Sequence, residues 1–276
     1  MKKFSIKYKN YKDNIIIILI YAVIIILWQF LYFLFAEKLK LVKPYIFPHP
    51  LGVVSTLVRL VRTGLLLNAV LFSLKKMLIG YALSLAIGIF AGLLLTVRIA
   101  DKALRSVILG LQTLPSICWV PFALLWFGLN ESATIFVIVI GSTFSLGISV
   151  SSAVKNVNPL YIRAASTMGA SKRDIYLKII LPASVPEFVS GLKQGWSFAW
   201  RSLIAGEMMS SVMGLGYILQ TGRDLLEINQ VMAVMLIIIL FSAVVENLFF
   251  GKIEKNMRVK MGLAAEKKEI PDHEKS

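Results

Sequence analysis

An all-α integral membrane protein with six transmembrane helices is the fold class this sequence predicts, and three observations carry it. Hydrophobic residues fill 57% of the 276 positions and charged residues only 16%, with a mean hydropathy of +0.76, far from the balance of a water-soluble domain. The apolar residues are gathered into long runs, whereas soluble helices alternate an apolar with a polar face. The formal net charge of +15 lies mostly between those runs, so the basic residues read as membrane flanks and not as a nucleic-acid surface.

The runs cover residues 14–36, 69–97, 107–128, 133–150, 185–213 and 231–251, each near the roughly 20 residues that a helix needs to cross hydrocarbon. Residues 1–13 form a lysine-rich start, with Lys2, Lys3, Lys7, Lys9 and Lys12. The apolar stretch that follows runs through Trp28 to Ala36, too long for a cleaved signal segment, so it reads as an uncleaved first helix. Residues 14–68 hold this helix and an external segment in which Leu51 to Gly64 reads as an interfacial amphipathic helix. Residues 69–251 form a five-helix core interrupted by a loop at 153–182, and residues 252–276 form a charged tail, frayed from Gly262 onward.

Charge sets the orientation. Lys and Arg cluster before the first run, at Arg98, Lys102 and Arg105, from Lys155 to Lys178, and after Gly251, which puts both termini in the cytoplasm. Gly128 to Ser132 carries no Lys or Arg, and only Arg223 lies between the fifth and sixth runs. Lys38, Lys40, Lys43, Arg59, Arg62, Lys75 and Lys76 dissent, as charges of the first external loop that the interfacial helix would help to hold at the lipid surface.

Catalysis finds no footing. A G-x-x-x-x-G-K-[ST] phosphate loop is missing, and His49 and His273 are too far apart to build a metal site or a hydrolytic triad. The single Cys118 excludes an intrachain disulfide and reads as a small packing residue.

The interruption is the most informative stretch. Asn158 can cap a helix that starts on Pro159; Leu160, Ala164, Ala165 and Met168 recur at helical spacing, and Gly169 supplies a left-handed stop. Ser171 and Asp174 form a capping-box pattern for a second short helix that must end before Pro182. Ser184 and Glu187 repeat the pattern at the start of the fifth span. The pair of short helices reads either as a capped solvated loop or as a docking knob whose small surface is ringed by Arg163, Lys172 and Arg173.

Arg163-Ala164-Ala165, then Gly169, then Ile179-Ile180-Leu181-Pro182 resembles the E-A-A loop of permease subunits of binding-protein-dependent ABC importers. "FPHPLGV" at 47–53, "SLKKMLIGYALSLAIGIFAGLLL" at 73–95, "LQTLPSICWVPFALLWFG" at 111–128, "GWSFAWRSLIAGEMM" at 195–209 and "GLGYIL" at 214–219 resemble the nitrate, sulfonate, taurine and bicarbonate branch. The resemblance covers residues 45–255. It implies a type I ABC importer permease fold with a cytoplasmic coupling helix, in a multi-pass protein of the bacterial inner membrane. It implies a homodimer joined to a separate ABC ATPase, which uses ATP and Mg, and to an extracytoplasmic solute-binding protein; this chain itself would bind no cofactor. Arg163, Ala164, Ala165, Gly169, Leu181 and Pro182 would form the ATPase-coupling loop, although the family usually has Glu where Arg163 stands. The cargo would be a small anion such as an aliphatic sulfonate, taurine or nitrate, or else a vitamin precursor such as a thiamine pyrimidine.

The fifth run carries the charges Arg201 and Glu207, costly in hydrocarbon and so candidates for a pathway or a buried pair. At 100° per residue Trp196, Trp200, Leu203, Glu207 and Ser211 share a stripe, with Arg201 about 120° from Glu207. A guanidinium fork suits planar and tetrahedral oxyanions. Gln112 and Ser116 flank a kink at Pro115 in the third run and complete the candidate pathway, for which Asn68, Lys75 and Lys76 are weaker candidates. An ion-coupled secondary carrier is the rival of another class, with Glu207 almost alone to couple the ion, and a non-transporting scaffold or receptor is a second.

Overall fold

A computed structural model describes residues 2–41, 43 and 47–260; His273 and the tail beyond Lys260 lie outside the described residues. Every regular element among the described residues is helical. They fall into two compact units, Met1–Ala69 with Ile218–Ile237, and Val70–Tyr217 with Ile238–Ser276.

In the first unit α1 (Lys2–Tyr32) continues as a π-helical stretch, Phe33–Lys38, so the predicted first span is the middle of a longer helix. Its far end is fastened to the following loop: Trp28 Nε1 donates to Pro48 O (3.0 Å), and Tyr32 stands edge-on to His49. The predicted interfacial helix is α2 (Pro50–Arg62). His49 caps it, its Nδ1 accepting from Gly52 N (3.0 Å), and Pro50 sits in the first turn, where its missing N–H costs nothing. Asn229 Oδ1 accepts from His49 N (3.0 Å), and Arg59 pairs with Glu227 (2.7 Å). These contacts tie α2 to the start of α11, introduced below.

The second unit takes up α3 (Leu65–Leu94) from Val70 onward, then α4 (Arg98–Thr113), a 3₁₀ turn Ser116–Trp119, α5 (Val120–Phe127) and α6 (Glu131–Lys155). The short α7 (Pro159–Thr167) and α8 (Lys172–Ile175) follow, then a π-helical stretch Tyr176–Ile180, and α9 (Leu181–Ser210). α10 (Leu215–Asp224) and α11 (Ile228–Val245) each have one part in either unit; a last π-helical stretch, Glu246–Phe250, leads into α12 (Gly251–Lys260).

The core of this unit is α6 packed along α9 and α3. Small residues make the approach close, as in membrane helix pairs that lack a hydrophobic drive of their own. A Cβ on Gly92 of α3 would stand 2.6 Å from Gly147 O and 2.8 Å from Val150 Cγ1, and one on Gly195 of α9 would stand 2.7 Å from Leu146 Cγ. Ser142 Oγ of α6 meets Ser84 Oγ of α3 at 2.7 Å.

Four points stand out against the sequence, three of them corrections. First, the kink expected at Pro115 in the third run is a sharp bend: among the described residues five helices are long and apolar enough to cross a membrane, and the sixth crossing is the bent pair Arg98–Thr113 and Ser116–Phe127, which turns through 95°. Pro115 removes an N–H and holds Leu114 extended (ψ 123°), the restriction that proline imposes on its predecessor. Second, the helix entering the fifth span does not stop before Pro182. The π-helical stretch 176–180 shifts the hydrogen-bond register ahead of the proline, which lets the chain run on. Ser184 therefore caps nothing; its Oγ donates to Leu181 O (2.9 Å). Third, Lys76 is not a charge of an external loop but a fully buried residue inside α3. Fourth, Cys118 is exposed in the 3₁₀ turn and packs no core.

Replacing Gly92 by Leu drives a side chain into the α3–α6 contact, and overpacking of this kind costs about 1–3 kcal/mol. The detergent-solubilised variant is expected to melt below the wild-type protein, while Gly110→Leu, where a Cβ meets nothing within 4 Å, leaves the melting temperature in place.

Candidate functional site

The loop between α6 and α9 is built as its residues dictate. Asn158 Oδ1 accepts from Leu160 N (2.9 Å), with Pro159 in the first turn of α7. The helix closes on a left-handed Gly169 (φ 80°), where Ala170 N returns to Ala165 O (3.0 Å), the wide bond of a Schellman stop. Ser171 Oγ accepts from Asp174 N (3.1 Å) and donates to Asp174 Oδ2 (2.5 Å). Lys178 pairs with Asp174 (2.6 Å), so the loop's own carboxylate is spoken for.

The helix α7, the π-helical stretch 176–180 and the first turns of α9 enclose an open groove of about 660 Å³ lined by Tyr161, Ala164, Ala165, Met168, Lys178, Ile179, Pro182, Ala183 and Pro186. Ala165 is buried, and Leu160, Tyr161 and Met168 are strongly exposed. Arg163, Ala164, Gly169, Leu181 and Pro182 are exposed too. The six residues expected to form a coupling loop thus lie on the segment 159–182, all but Ala165 exposed.

That element is anchored at its root. Lys155, at the end of α6, pairs with Asp101 of α4 (2.7 Å), which also holds Arg105 (3.1 Å). Asn156, the C-cap of α6, donates to Glu187 Oε1 of α9 (2.7 Å). Glu187 is a tie between helices and not the second half of a capping box.

The candidate pathway residues separate into two groups. Trp196 and Trp200 are buried, Trp196 edge-on to Tyr81 at 5.2 Å and Trp200 stacked on Phe241 at 4.9 Å. Glu207 is fully buried and pairs with Lys76 of α3 at 2.7 Å, both side chains wholly inaccessible. Ser73 Oγ lies 2.7 and 2.9 Å from its two carboxylate oxygens, and Gly216 N donates to Oε2 (2.8 Å). Arg201, by contrast, is exposed, its Nε donating to Ser197 O (3.2 Å) and its guanidinium 4.8 Å over the Phe198 ring. Gln112 and Ser116 are half-buried, and Gln112 Oε1 is enclosed without a hydrogen-bond partner. Ser116 belongs to a tight junction: a Cβ on Gly141 of α6 would collide with Ser202 Oγ and stand 3.1 Å from Ser116 Cβ.

Sequence reasoning missed the partners of Glu207. Lys76 and Ser73 sit three residues apart, on one face of α3, and that spacing was the available signal. The exposed Asn68 joins neither group.

The family model for the binding-protein-dependent transport system inner membrane component matches residues 84–259. This chain belongs to that family. It is a multi-pass membrane permease, a transport subunit of an ABC importer whose ATPase is a separate chain. It is 34% identical to an ABC transporter permease protein of Methanocaldococcus jannaschii, over 86% of this chain and 89% of that one. It is 26% identical to a taurine transport system permease of Escherichia coli over 75% of this chain and 78% of the relative. A nitrate import permease of Leptolyngbya laminosa is 32% identical over 52% of each. Among solved structures, a chain of the MetNI methionine ABC transporter in an inward-facing conformation superposes with a TM-score of 0.59 at 18% identity, over 70% of this permease and 96% of that chain. That likeness places the permease in the type I importer fold.

Breaking the buried pair is costly because the surviving charge stays in a dry site: removal of one partner typically costs about 3–5 kcal/mol. Lys76→Met is therefore expected to lower the denaturant midpoint of the purified permease, and Lys76→Met with Glu207→Leu to recover most of that loss. Equal midpoints for the single and double variants would show that the two residues are not coupled.

Proposed function

We propose that this permease works as a homodimer, with two copies of a separate ATPase and an extracytoplasmic binding protein, to import a small oxyanion of the sulfonate or nitrate type. The observation that carries the reading is the anchored, capped loop at 159–182 with its apolar groove. It has the residues, the left-handed glycine and the exposure of a part made to seat in another protein. Closure of the ATPase pair, driven by ATP with Mg, would push this loop and swing the dimer between inward-open and outward-open states.

The same reading puts both termini and the 153–182 loop in the cytoplasm, 14–68 as a first helix with an external amphipathic segment, 69–251 as the transporting core and 252–276 as a cytoplasmic tail, of which the residues beyond Lys260 lie outside the described residues. Arg201, Gln112 and Ser116 are the residues we assign to the pathway. Arg201 keeps an exposed guanidinium fork that an anion would meet, and Gln112 an acceptor oxygen without a partner, which suits a donor from a second copy of the chain and not the anion itself. Trp196 and Trp200 are packed inside the chain with their indole N–H groups unpartnered, and Glu207 is paired with Lys76; all three would back the pathway. Glu207, on which an ion-coupled carrier would depend, is already engaged by Lys76, Ser73 and Gly216. Taurine and nitrate, for which two of the relatives are named, both present an oxyanion, and that shared chemistry favours an anion over a vitamin precursor.

Gly169 separates docking from folding. A Cβ there meets nothing within 4 Å inside the chain, and aspartate tolerates the left-handed region better than most residues. Gly169→Asp is expected to reach the membrane at wild-type levels, with ATP hydrolysis uncoupled from uptake, which falls at least about tenfold, the loss of roughly 1.4 kcal/mol of coupling. Uptake at the wild-type rate would overturn the docking reading.

Arg201 reads the cargo. With taurine and nitrate as probes in proteoliposomes, Arg201→Gln is expected to weaken uptake of the anion at least about tenfold, as befits a lost charge-assisted contact. An unchanged KM for both anions would remove Arg201 from the pathway.

A further inference from the structure

The Lys76–Glu207 pair does more than neutralise itself. Between α9 and α10 the chain leaves helical geometry, with Ser211 left-handed (φ 54°). Three backbone groups after it are served by the side chains of this cluster: Met213 O accepts from Lys76 Nζ (2.8 Å), Leu215 N donates to Ser73 Oγ (2.9 Å), and Gly216 N donates to Glu207 Oε2 (2.8 Å). Irregular backbone at membrane depth needs protein partners where water is missing, and here they come from two helices at once. The carboxylate is also wedged beneath the turn. A Cβ on Gly214 would collide with it, and one on Gly216 would stand 2.6 Å from Glu207 Cβ.

The opposite end of the same helix α9 carries Pro182, Ala183 and Pro186 of the coupling groove. One continuous helix thus joins the groove at its start to the wedged turn at its end. Sliding α3 along α9 would break the ion pair and the two backbone contacts that Lys76 and Ser73 make with the turn, with no water to replace them.

We propose that Ser73, Lys76 and Glu207 are positioning residues for transport: they lock the 211–216 turn to α9 and α3, so that a displacement entering at the coupling groove is delivered to the turn at the far mouth of the permease. This rests on the importer reading and adds a part to it. Neither charged side chain is accessible, so the cluster acts through the turn and not on the cargo.

The test uses the full chain in proteoliposomes with its co-purifying ATPase and binding protein. The native Cys118 is replaced by Ser, and the exposed Ser211 is replaced by Cys as a reporter for a membrane-impermeant maleimide. Labelling rates are compared without nucleotide and with ATP plus orthovanadate, alongside ATP hydrolysis. In the reporter background nucleotide is expected to change the rate by about fivefold or more, the lower end of ordinary allosteric coupling. In Glu207→Gln, and in Ser73→Ala, which keeps the ion pair, ATP hydrolysis persists but the nucleotide-dependent change falls below about twofold. A purely structural role would lower the amount of assembled complex and leave that ratio alone; a preserved ratio in both variants overturns the proposal. No nucleotide response in the reporter background, with ATP still hydrolysed, also overturns it and leaves the importer reading intact. Failure of any ATPase to assemble with the chain overturns both.

Discussion

A lysine ammonium and a glutamate carboxylate 2.7 Å apart and wholly inaccessible set the constraint that the rest of the transporting unit must satisfy. Neither charge is tolerable alone at that depth, and even a paired charge recovers its desolvation only if its remaining donors and acceptors are filled. Ser73, Gly216 N and Met213 O fill them. The geometry of that cluster therefore fixes where α3, α9 and the 211–216 turn stand relative to one another; glycine at 214 is required by the carboxylate beneath it, and glycine at 216 by Glu207 Cβ and the α9 backbone at Ile204 O.

α9 turns this local constraint into a mechanical one. Thirty residues at 1.5 Å each give a rod of about 45 Å, enough to cross the hydrocarbon with length to spare. Its first turns line the coupling groove, its middle packs on α6 through Gly191 and Gly195, and its last turn carries Glu207. Pro182 and Pro186 sit where the chain leaves the groove, preceded by the π-helical stretch 176–180. On the proposed mechanism, this one helix carries motion applied to the loop to the buried pair at its far end.

Much of this was legible in the sequence, for local reasons. Asn158, Pro159, Gly169 and Ser171 act through neighbours a few residues away, so the capped loop followed from spacing alone, and the apolar runs followed from bilayer thickness. What was hidden is non-local. Lys76 looks like a surface charge until α3 and α9 are brought together, and Glu207 looks unpaired for the same reason. Pro182 looks like a helix terminator because the register shift that rescues it leaves no mark in composition. Cys118 looks like core because its neighbours are apolar; the bend at Pro115 turns that stretch outward.

The departure at Arg163 sharpens what the coupling surface can rely on. Where the resembled family usually has a carboxylate, this loop presents Arg163, and its own Asp174 is held by Lys178 and by the Ser171 cap. Every charge left free on the rim, at Arg163, Lys172 and Arg173, is positive. In the proposed seating of this loop on an ATPase, its one carboxylate is already engaged within the loop. The features that survive the substitution are matters of shape: the alanines that keep the groove shallow, the left-handed glycine that ends α7, and the exposed Leu160 and Met168. Burying such apolar surface is worth about 25 cal/mol per Å² whatever the sign of the rim, so seating can rest on shape while the rim charges govern how fast, and against which partner surface, it occurs.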